Sequence, residues 1–353
     1  MSMRRAAVPP LSAAALLALA LAALAPAAAA PAKKSFQFAV AAQVLKGESD
    51  EAELQRTLED AEQKRAAFLL VTGIKSASEA CSDKLYAQRR ALLDKSPRPL
   101  VLSLAGSDWT ACRNSAGRSN AIERLNRIRE LFFDQDESLG EKKLALNRLS
   151  NSSQFRSYAE NAYWEYGNVL FATINLPAKN NHFLTEAGRN SEYEDRTVAN
   201  RNWLQRLFAL AKRKKLDGIV LVSDGDIGAH QEESFSLLSG FSSKQDGFAQ
   251  TRKQVRALAE KFKGKVLLID SAQKTAKAPA AQNGTASASA NAAASAPDAE
   301  AVLQWRGNLA HLSLSPGWTT IRVAPGSPTL FTRPKAEPVS TLGSDPNRTR
   351  TRP

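Results

Sequence analysis

The sequence predicts an α/β fold, and three observations predict it. Short apolar runs alternate with stretches whose apolar residues recur at helical spacing, each run stops at a polar loop, and the alternation appears in both halves of the chain. Phe36 to Ala42 reads as the first strand. The stretch from Glu51 to Arg65 follows as a helix, with Leu54, Leu58 and Ala61 on one face. Phe68 to Val71 is the second strand, and Lys84 to Leu93 is helical by pattern. The break at Pro97 and Pro99 then opens a third strand, Leu100 to Leu104.

The later half repeats the scheme. Val169 to Ile174 reads as a buried strand, and Arg201 to Lys215 as an amphipathic helix that gathers Trp203, Leu204, Leu207, Phe208 and Ala211 on one side. Lys212 to Lys215 complement the negative end of that helix, so a solvated helix terminus explains this basic cluster better than a nucleic-acid patch does. Asp217 and Gly218 turn the chain into the strand Ile219 to Val222, and the helix Thr251 to Phe262 leads through Gly264 into the strand Val266 to Ile269. Tyr158, Tyr163, Trp164 and Tyr166 crowd the segment before Val169, a pattern expected to pack a helix–strand junction. Leu309 to Leu314 and Thr319 to Val323 read as a terminal hairpin joined through Pro316 and Gly317. In open α/β sheets ligands collect at the carboxyl ends of strands, so the loops after Ala42, Val71, Leu104, Ile174, Val222 and Ile269 should converge on any site.

Composition narrows the function classes. The chain has 353 residues, 43% of them hydrophobic, which suits one large core or two small ones and excludes a wholly disordered protein. After the first 30 residues no apolar run is long enough to span a bilayer. Lys and Arg exceed Asp and Glu by 48 to 35, a net charge of +13 that favours polyanionic or phosphorylated partners without choosing among them. Two cysteines and three histidines are too few for structural zinc clusters, haem or a dense disulfide framework.

Residues 1–32 read as a signal peptide: Arg4 and Arg5 begin it, Leu11 to Leu24 form its apolar stretch, and Ala27 to Ala32 a small-residue cleavage zone. A periplasmic or secreted location is then expected, with an uncleaved anchor as the alternative. In an oxidising compartment Cys81 and Cys112 are candidates for one disulfide, the alternative being two separate thiols. A folded domain is expected over 33–332, carrying a flexible Ala- and Ser-rich insert at 276–300, and a basic disordered tail over 333–353. The tail lacks the interleaved aromatics of single-strand binders, which argues against nucleic acid.

Four segments carry a family resemblance: FQFAV (36–40), GIKSASEACSDKLYAQRRALLD (73–94), PRPLVLSLAGSDWTAC (97–112) and IERLNRIRELFF (122–133). Together they resemble an exported branch of the calcineurin-like metallophosphoesterases, whose members show GDTPYG, GDIKSGSEPCSD and GDNEWTDC after their first three strands. Weaker similarity continues in order through NLPAKNN (175–181), the strands at 219–222 and 266–269, and GWTTIRVAPGSP (317–328). The resemblance implies a four-layer αββα sandwich with two mixed β-sheets.

It also implies a pair of divalent metals held by Asp, Asn and His, and here this sequence departs from the family. Gln43 stands at the first aspartate and Leu45 two residues on, where a histidine sometimes occurs; Gly73 replaces the bridging aspartate. Ser107 takes the place of the ligand asparagine, with Asp108 beside it, and Asp270, Ser271, Ala272, Gln273 and Lys274 overlie the late HGDxH pattern. Loss of the bridging carboxylate and both late histidines removes the means of holding two ions. What remains is a degenerate pocket of Gln43, Gly73, Lys75, Ser107, Asp108, Asn175, Asp226, Asp270 and Lys274, with no catalytic residue and no cofactor.

The expectation is therefore an exported pseudoenzyme that binds a small anionic or phosphorylated ligand or an envelope component, with no transmembrane segment after signal cleavage. The alternative is a divergent phosphoester hydrolase with a site rebuilt from Asp108, Asp224, Asp226 and Asp270 around manganese, iron or zinc. The run SDGDIGAH places Asp224, Asp226 and His230 after a strand, where the favoured reading is a turn capped by its own aspartates. Lys46, Lys75 and Lys274 lie in converging loops and either hold an anion or are ordinary solvated charges. His182, His230 and His311 are scattered, His311 is expected to face solvent, and no GxSxG, P-loop or HExxH sequence occurs.

Overall fold

The computed structural model describes residues 34–42, 51–185, 190–231, 245–271, 303–314 and 317–334. The expected signal peptide, the 276–300 insert and all but the first two residues of the tail lie outside these, as do Gln43, Leu45, Lys46, Ala272, Gln273 and Lys274.

The expected strands and helices of the two halves form within one or two residues of their predicted ends, except that one helix starts ten residues early. The first half comprises β1 (Phe36–Ala42), α1 (Glu51–Gln63), β2 (Leu69–Thr72), α2 (Asp83–Asp94), β3 (Leu100–Ser103) and α3 (Ala121–Phe132). After it come β4 (Asn147–Arg148), β5 (Ala162–Tyr166), β6 (Val169–Thr173), α4 (Ser191–Arg213), β7 (Gly218–Ser223), α5 (Ala249–Glu260) and β8 (Lys265–Asp270). Four strands close the described chain: β9 (Gln304–Arg306), β10 (Leu309–Ser313), β11 (Gly317–Val323) and β12 (Phe331–Thr332). Among the described residues no helix is long and apolar enough to cross a membrane.

The strands form two sheets, a five-stranded one in the order β12-β11-β1-β2-β3 and a seven-stranded one in the order β4-β5-β6-β7-β8-β10-β9. Both are mixed. β1, β2 and β3 run parallel with β11 antiparallel beside β1, while β6, β7, β8 and β10 run parallel between antiparallel margins. Alternation along each strand divides the core. Phe38, Val40, Phe68 and Leu70 of the first sheet meet Phe171, Val220, Val222, Leu267 and Ile269 of the second, so the sheets pack face to face. The opposite face of the first sheet buries Leu69, Val71 and Leu102 against Leu54 and Leu58 of α1, Tyr86 of α2 and Leu125 and Ile128 of α3. The outer face of the second sheet buries Leu170, Ile219, Leu221, Val266 and Leu268 against Trp203 and Leu207 of α4 and Val255 of α5. Helices, sheet, sheet and helices thus give the four layers expected.

The aromatic segment splits by the same period. Trp164 enters the space between the sheets, stacked on Phe171 at 5.5 Å, while Tyr163 points the other way onto Trp203 at 5.7 Å. Cys81 and Cys112 form the disulfide, Cα to Cα 5.8 Å, and tie the loop before α2 to the loop after β3.

The terminal hairpin does not form. β10 pairs with β8 and β9 in the seven-stranded sheet, whereas β11 pairs along its length with β1 in the other sheet. Apolar alternation fixes which face of a strand is buried but is silent about its neighbour. The free margin of β10 is instead taken by Gln304–Arg306 through a tight turn at Gly307, whose φ of +61° suits glycine.

Candidate functional site

Two constellations occupy the strand ends. The first lies at the mouth between the sheets and is built on Asp108. A 3-10 turn over Gly106–Asp108 follows β3 and carries this carboxyl into full burial. Its Oδ1 accepts the amide N–H groups of Ile74 (2.9 Å) and Lys75 (3.3 Å), and its Oδ2 that of Ala105 (2.8 Å). Gly73, at φ +81°, places its missing side chain beside this group: a Cβ there would start 3.1 Å from the Ala105 Cβ and 3.6 Å from Asp108 Oδ1. The Asp108 carboxylate therefore stands close to the space that a carboxylate on residue 73 would need.

Asp224, after β7, joins the loops of both sheets. Its Oδ2 accepts from the amides of Gly106 (2.7 Å) and Ala178 (2.8 Å), and its Oδ1 from the Ser271 hydroxyl (2.9 Å). The expected convergence of loops is thus real after β2, β3, β6, β7 and β8. Its bonds are long-range, so the reading of Asp224 as the cap of a local turn is corrected.

Lys75 also departs from expectation. It is 3% exposed, and its ammonium donates to the carbonyls of Ser76 (2.6 Å) and Ser107 (2.9 Å). Burial lowers its pKa against the pull of Asp108 and Glu79. It is neither a solvated charge nor a cation turned to an incoming anion, because its donors serve the loop carbonyls. Ser107 Oγ donates to the Lys75 carbonyl (3.1 Å), and the Trp109 indole packs edge-on to His182 at 4.8 Å.

These described residues do not fit a pair of cations. Gly73 offers no ligand, both Asp108 oxygens already accept amide N–H groups, the Ser107 hydroxyl is engaged, and an ammonium stands among them. Asn175 is engaged through its amide nitrogen, which donates to Glu160 Oε1 (2.9 Å), with Glu160 held bidentate by Arg129, while its buried Oδ1 has no hydrogen-bond partner among the described residues. This member of the expected pocket belongs to a buried polar network.

Burial, followed in size by the opposing amide hydrogen bonds, pushes the Asp108 pKa from 3.8 up to about 7. A carboxyl whose native pKa lies above its unfolded value stabilises the fold most fully below the unfolded pKa, and that contribution is lost as pH rises through the native one. Relative to Asp108→Asn, the unsubstituted chain should lose roughly 2 kcal/mol of stability between about pH 5 and pH 7. Urea midpoints measured across that range test this, and parallel curves for the two proteins would contradict it.

The second constellation lies on the outer face of the seven-stranded sheet. Asp270 shares the parity of Val266 and Leu268 on β8, and His311 that of Leu309 on β10, so both side chains face the helix layer. His311 is 2% exposed, with Nε2 2.5 Å from Asp270 Oδ2 and 3.6 Å from Asp226 Oδ1. His230 lies parallel to it with ring centres 3.7 Å apart, its Nδ1 3.8 Å from Asp226 Oδ1. The solvent-facing assignment of His311 is therefore overturned, as is the view of the histidines as scattered, since two of the three stack. Asp226 does accept the Gly228 amide (2.6 Å) in the expected local turn, yet it also faces both rings. One signal could have revealed the cluster: Asp270 and His311 hold matching parity on strands that prove to be adjacent, but adjacency is not written in the sequence.

Ligand atoms of Asp226, His230 and His311 all lie within 4.8 Å of one another, a spacing that a metal ion can bring together. The pocket beside them is small and mainly apolar, lined by Leu221, Ile227, Val255 and Leu268 together with Asp226, Asp270 and His311.

No protein-family profile matches the chain, and no curated protein matches it. Among solved structures, a dimetal phosphatase from Danio rerio is similar at 12% identity and a TM-score of 0.46, over 81% of this chain and 92% of that one. A glutamine-dependent NAD+ synthetase from Acinetobacter baumannii, in complex with ADP, is similar at 11% identity and a TM-score of 0.27, over 56% of this chain and 34% of that one.

Proposed function

We propose that this protein is an exported, phosphoesterase-like scaffold that has given up two-metal hydrolysis and acts by binding, its ligand a small anionic or phosphorylated compound or an envelope component. The observation that supports the loss of two-metal hydrolysis is the bonding of the loops at the mouth between the sheets; the ligand part of the reading rests on the net charge of +13. Asp108, Asp224 and Lys75 direct their polar groups at backbone amides, carbonyls and Ser271, so the loops that would cradle two cations are bonded to one another. The motifs around Cys81 and Cys112 support descent from a phosphoesterase, and a disulfide between them suits an oxidising compartment.

A divergent hydrolase is the second reading, favoured by the gathering of Asp226, Asp270, His230 and His311. One assay separates the two. The purified full chain, supplied in turn with manganese, iron and zinc, should leave bis(p-nitrophenyl) phosphate unhydrolysed above the buffer rate. Turnover near 1 s⁻¹ or faster, ordinary for an enzyme, would install the hydrolase reading instead. Thermal shift with inorganic phosphate and nucleotides then addresses the ligand, since tight binding to the native state raises the melting temperature by mass action.

A further inference from the structure

We propose that Asp226, His230 and His311 form a site for a single divalent transition-metal ion, zinc by donor type, with Asp270 against its inner side. The site lies under α5 on the outer face of the seven-stranded sheet, apart from the mouth between the sheets, and does not depend on the function proposed above.

Its donors come from three separate segments. Asp226 and His230 sit four residues apart in the loop after β7, His311 in the middle of β10, and Asp270 at the end of β8. A tetrahedral zinc ion with bonds near 2.0–2.1 Å keeps neighbouring donors about 3.3 Å apart. Asp226 Oδ1 already stands 3.6 Å from His311 Nε2 and 3.8 Å from His230 Nδ1, so contraction by a few tenths of an ångström closes those edges. The parallel stack of the two rings does not aim both lone pairs at one point. Rotation of the His230 ring out of the stack would; its side chain is 7% exposed and that of its neighbour Asp226 18%, and both sit in the loop after β7 and not in a strand.

Charge favours an ion. Two carboxylates face two imidazoles here, and two protonated rings 3.7 Å apart would repel. One divalent cation balances both carboxylates while the rings stay neutral, and a mixed imidazole and carboxylate set suits zinc better than calcium or magnesium.

The supports are in place around the donors. Ser313 Oγ donates to Asp270 Oδ1 (3.0 Å) and Gly228 N to Asp226 (2.6 Å). From α5, Arg252 Nε donates to the Ile227 carbonyl (2.7 Å) and Arg256 Nε to that of Ala229 (3.0 Å), which fixes the loop that presents Asp226 and His230. Outer partners of this kind orient metal ligands. An ion bound at His311 Nε2 replaces the hydrogen bond between that nitrogen and Asp270 Oδ2, and any proton held there passes to solvent.

The test uses the full chain freed of metal with a chelator and titrated with cobalt(II), whose visible bands report low-symmetry coordination, and then with zinc(II) in competition. One equivalent of cobalt should bind, zinc should displace it, and zinc should raise the melting temperature by roughly 5 °C. His230→Ala and His311→Ala should each weaken binding by about 100-fold or more. His182→Ala, which alters the remaining histidine, should bind as the unsubstituted chain does. His230 is carried by the loop after β7 and not by a strand of the core, so His230→Ala should melt normally in chelator and keeps the test valid if His311→Ala does not fold. Absence of saturable binding, or equal binding by His230→Ala, would overturn the proposal and leave an imidazole–carboxylate hydrogen-bond network in its place.

Discussion

Asp224→Ala is expected to lower stability by about 3 kcal/mol. The substitution removes an acceptor of three donors, the buried Gly106 N–H and Ser271 hydroxyl and the half-buried Ala178 N–H, which belong to the loops after β3, β8 and β6. Each orphaned donor costs about 1–3 kcal/mol. An opposing effect reduces the sum: burial raises the Asp224 pKa, so the ionised carboxylate is itself disfavoured where it sits and its removal gives relief. Loss of the donors' partner should prevail because three bonds are broken for one charge removed. Asp224→Asn, which keeps an acceptor oxygen, should recover a large part. Denaturant midpoints read the total, and hydrogen exchange at Gly106 and Ala178 reads the mechanism, since these amides should exchange faster in the alanine variant. A loss below about 1 kcal/mol would mean that Asp224 is not what joins the sheets at this end.

Glu160→Ala should cost about 4 kcal/mol. Glu160 is 2% exposed and takes Arg129 Nε at 2.8 Å and Nη2 at 2.7 Å, with the Asn175 amide at 2.9 Å. Burial pushes its pKa up, but the charge and hydrogen bonds of Arg129, with the bond from Asn175, outweigh it and hold the carboxyl below its ordinary value of 4.5. Removing it strands a guanidinium whose side chain is only 13% exposed, and breaking one side of a buried pair is more damaging than replacing the whole pair. The pH dependence has the opposite sign to that of Asp108. A depressed native pKa gives stability that is present above the unfolded value and lost as pH falls through the native one. The gap between the unsubstituted chain and Glu160→Ala should therefore be full at pH 7 and shrink below about pH 4. A gap independent of pH would show that packing, and not the charge pair, explains the loss.

The two large effects also separate what could be read in advance from what could not. The strand Phe36–Ala42 and the starts and ends of most helices follow from apolar periodicity closed by Pro, Gly and charged residues, all local signals. The helix Ser191–Arg213 begins ten residues before its expected start because Arg196, Ala199 and Asn200 are buried only by partners distant in sequence. Arg196, for example, bonds Glu192 within the helix but also the Asn175 and Asn181 backbone carbonyls outside it. The Cys81–Cys112 bridge was legible as a candidate because both cysteines lie in polar loop sequence and two cysteines allow a single pairing.

The sequence by itself determined the alternation of strands and helices, because residue type and period state what a position can bury; it offered the bridge as one of two readings, and the four layers and the departures at Gly73 and Ser107 were implied by the family resemblance. The tertiary structure decided everything that depends on adjacency between segments. It sent β10 and β11 to different sheets, buried Lys75 against the carbonyls of two loops, and set His311 between Asp270 and Asp226. The physical reason is range. Hydrophobic period acts along a few residues of one strand, whereas hydrogen bonds and charges act over about 3–4 Å between groups that sequence separates by up to a hundred positions or more.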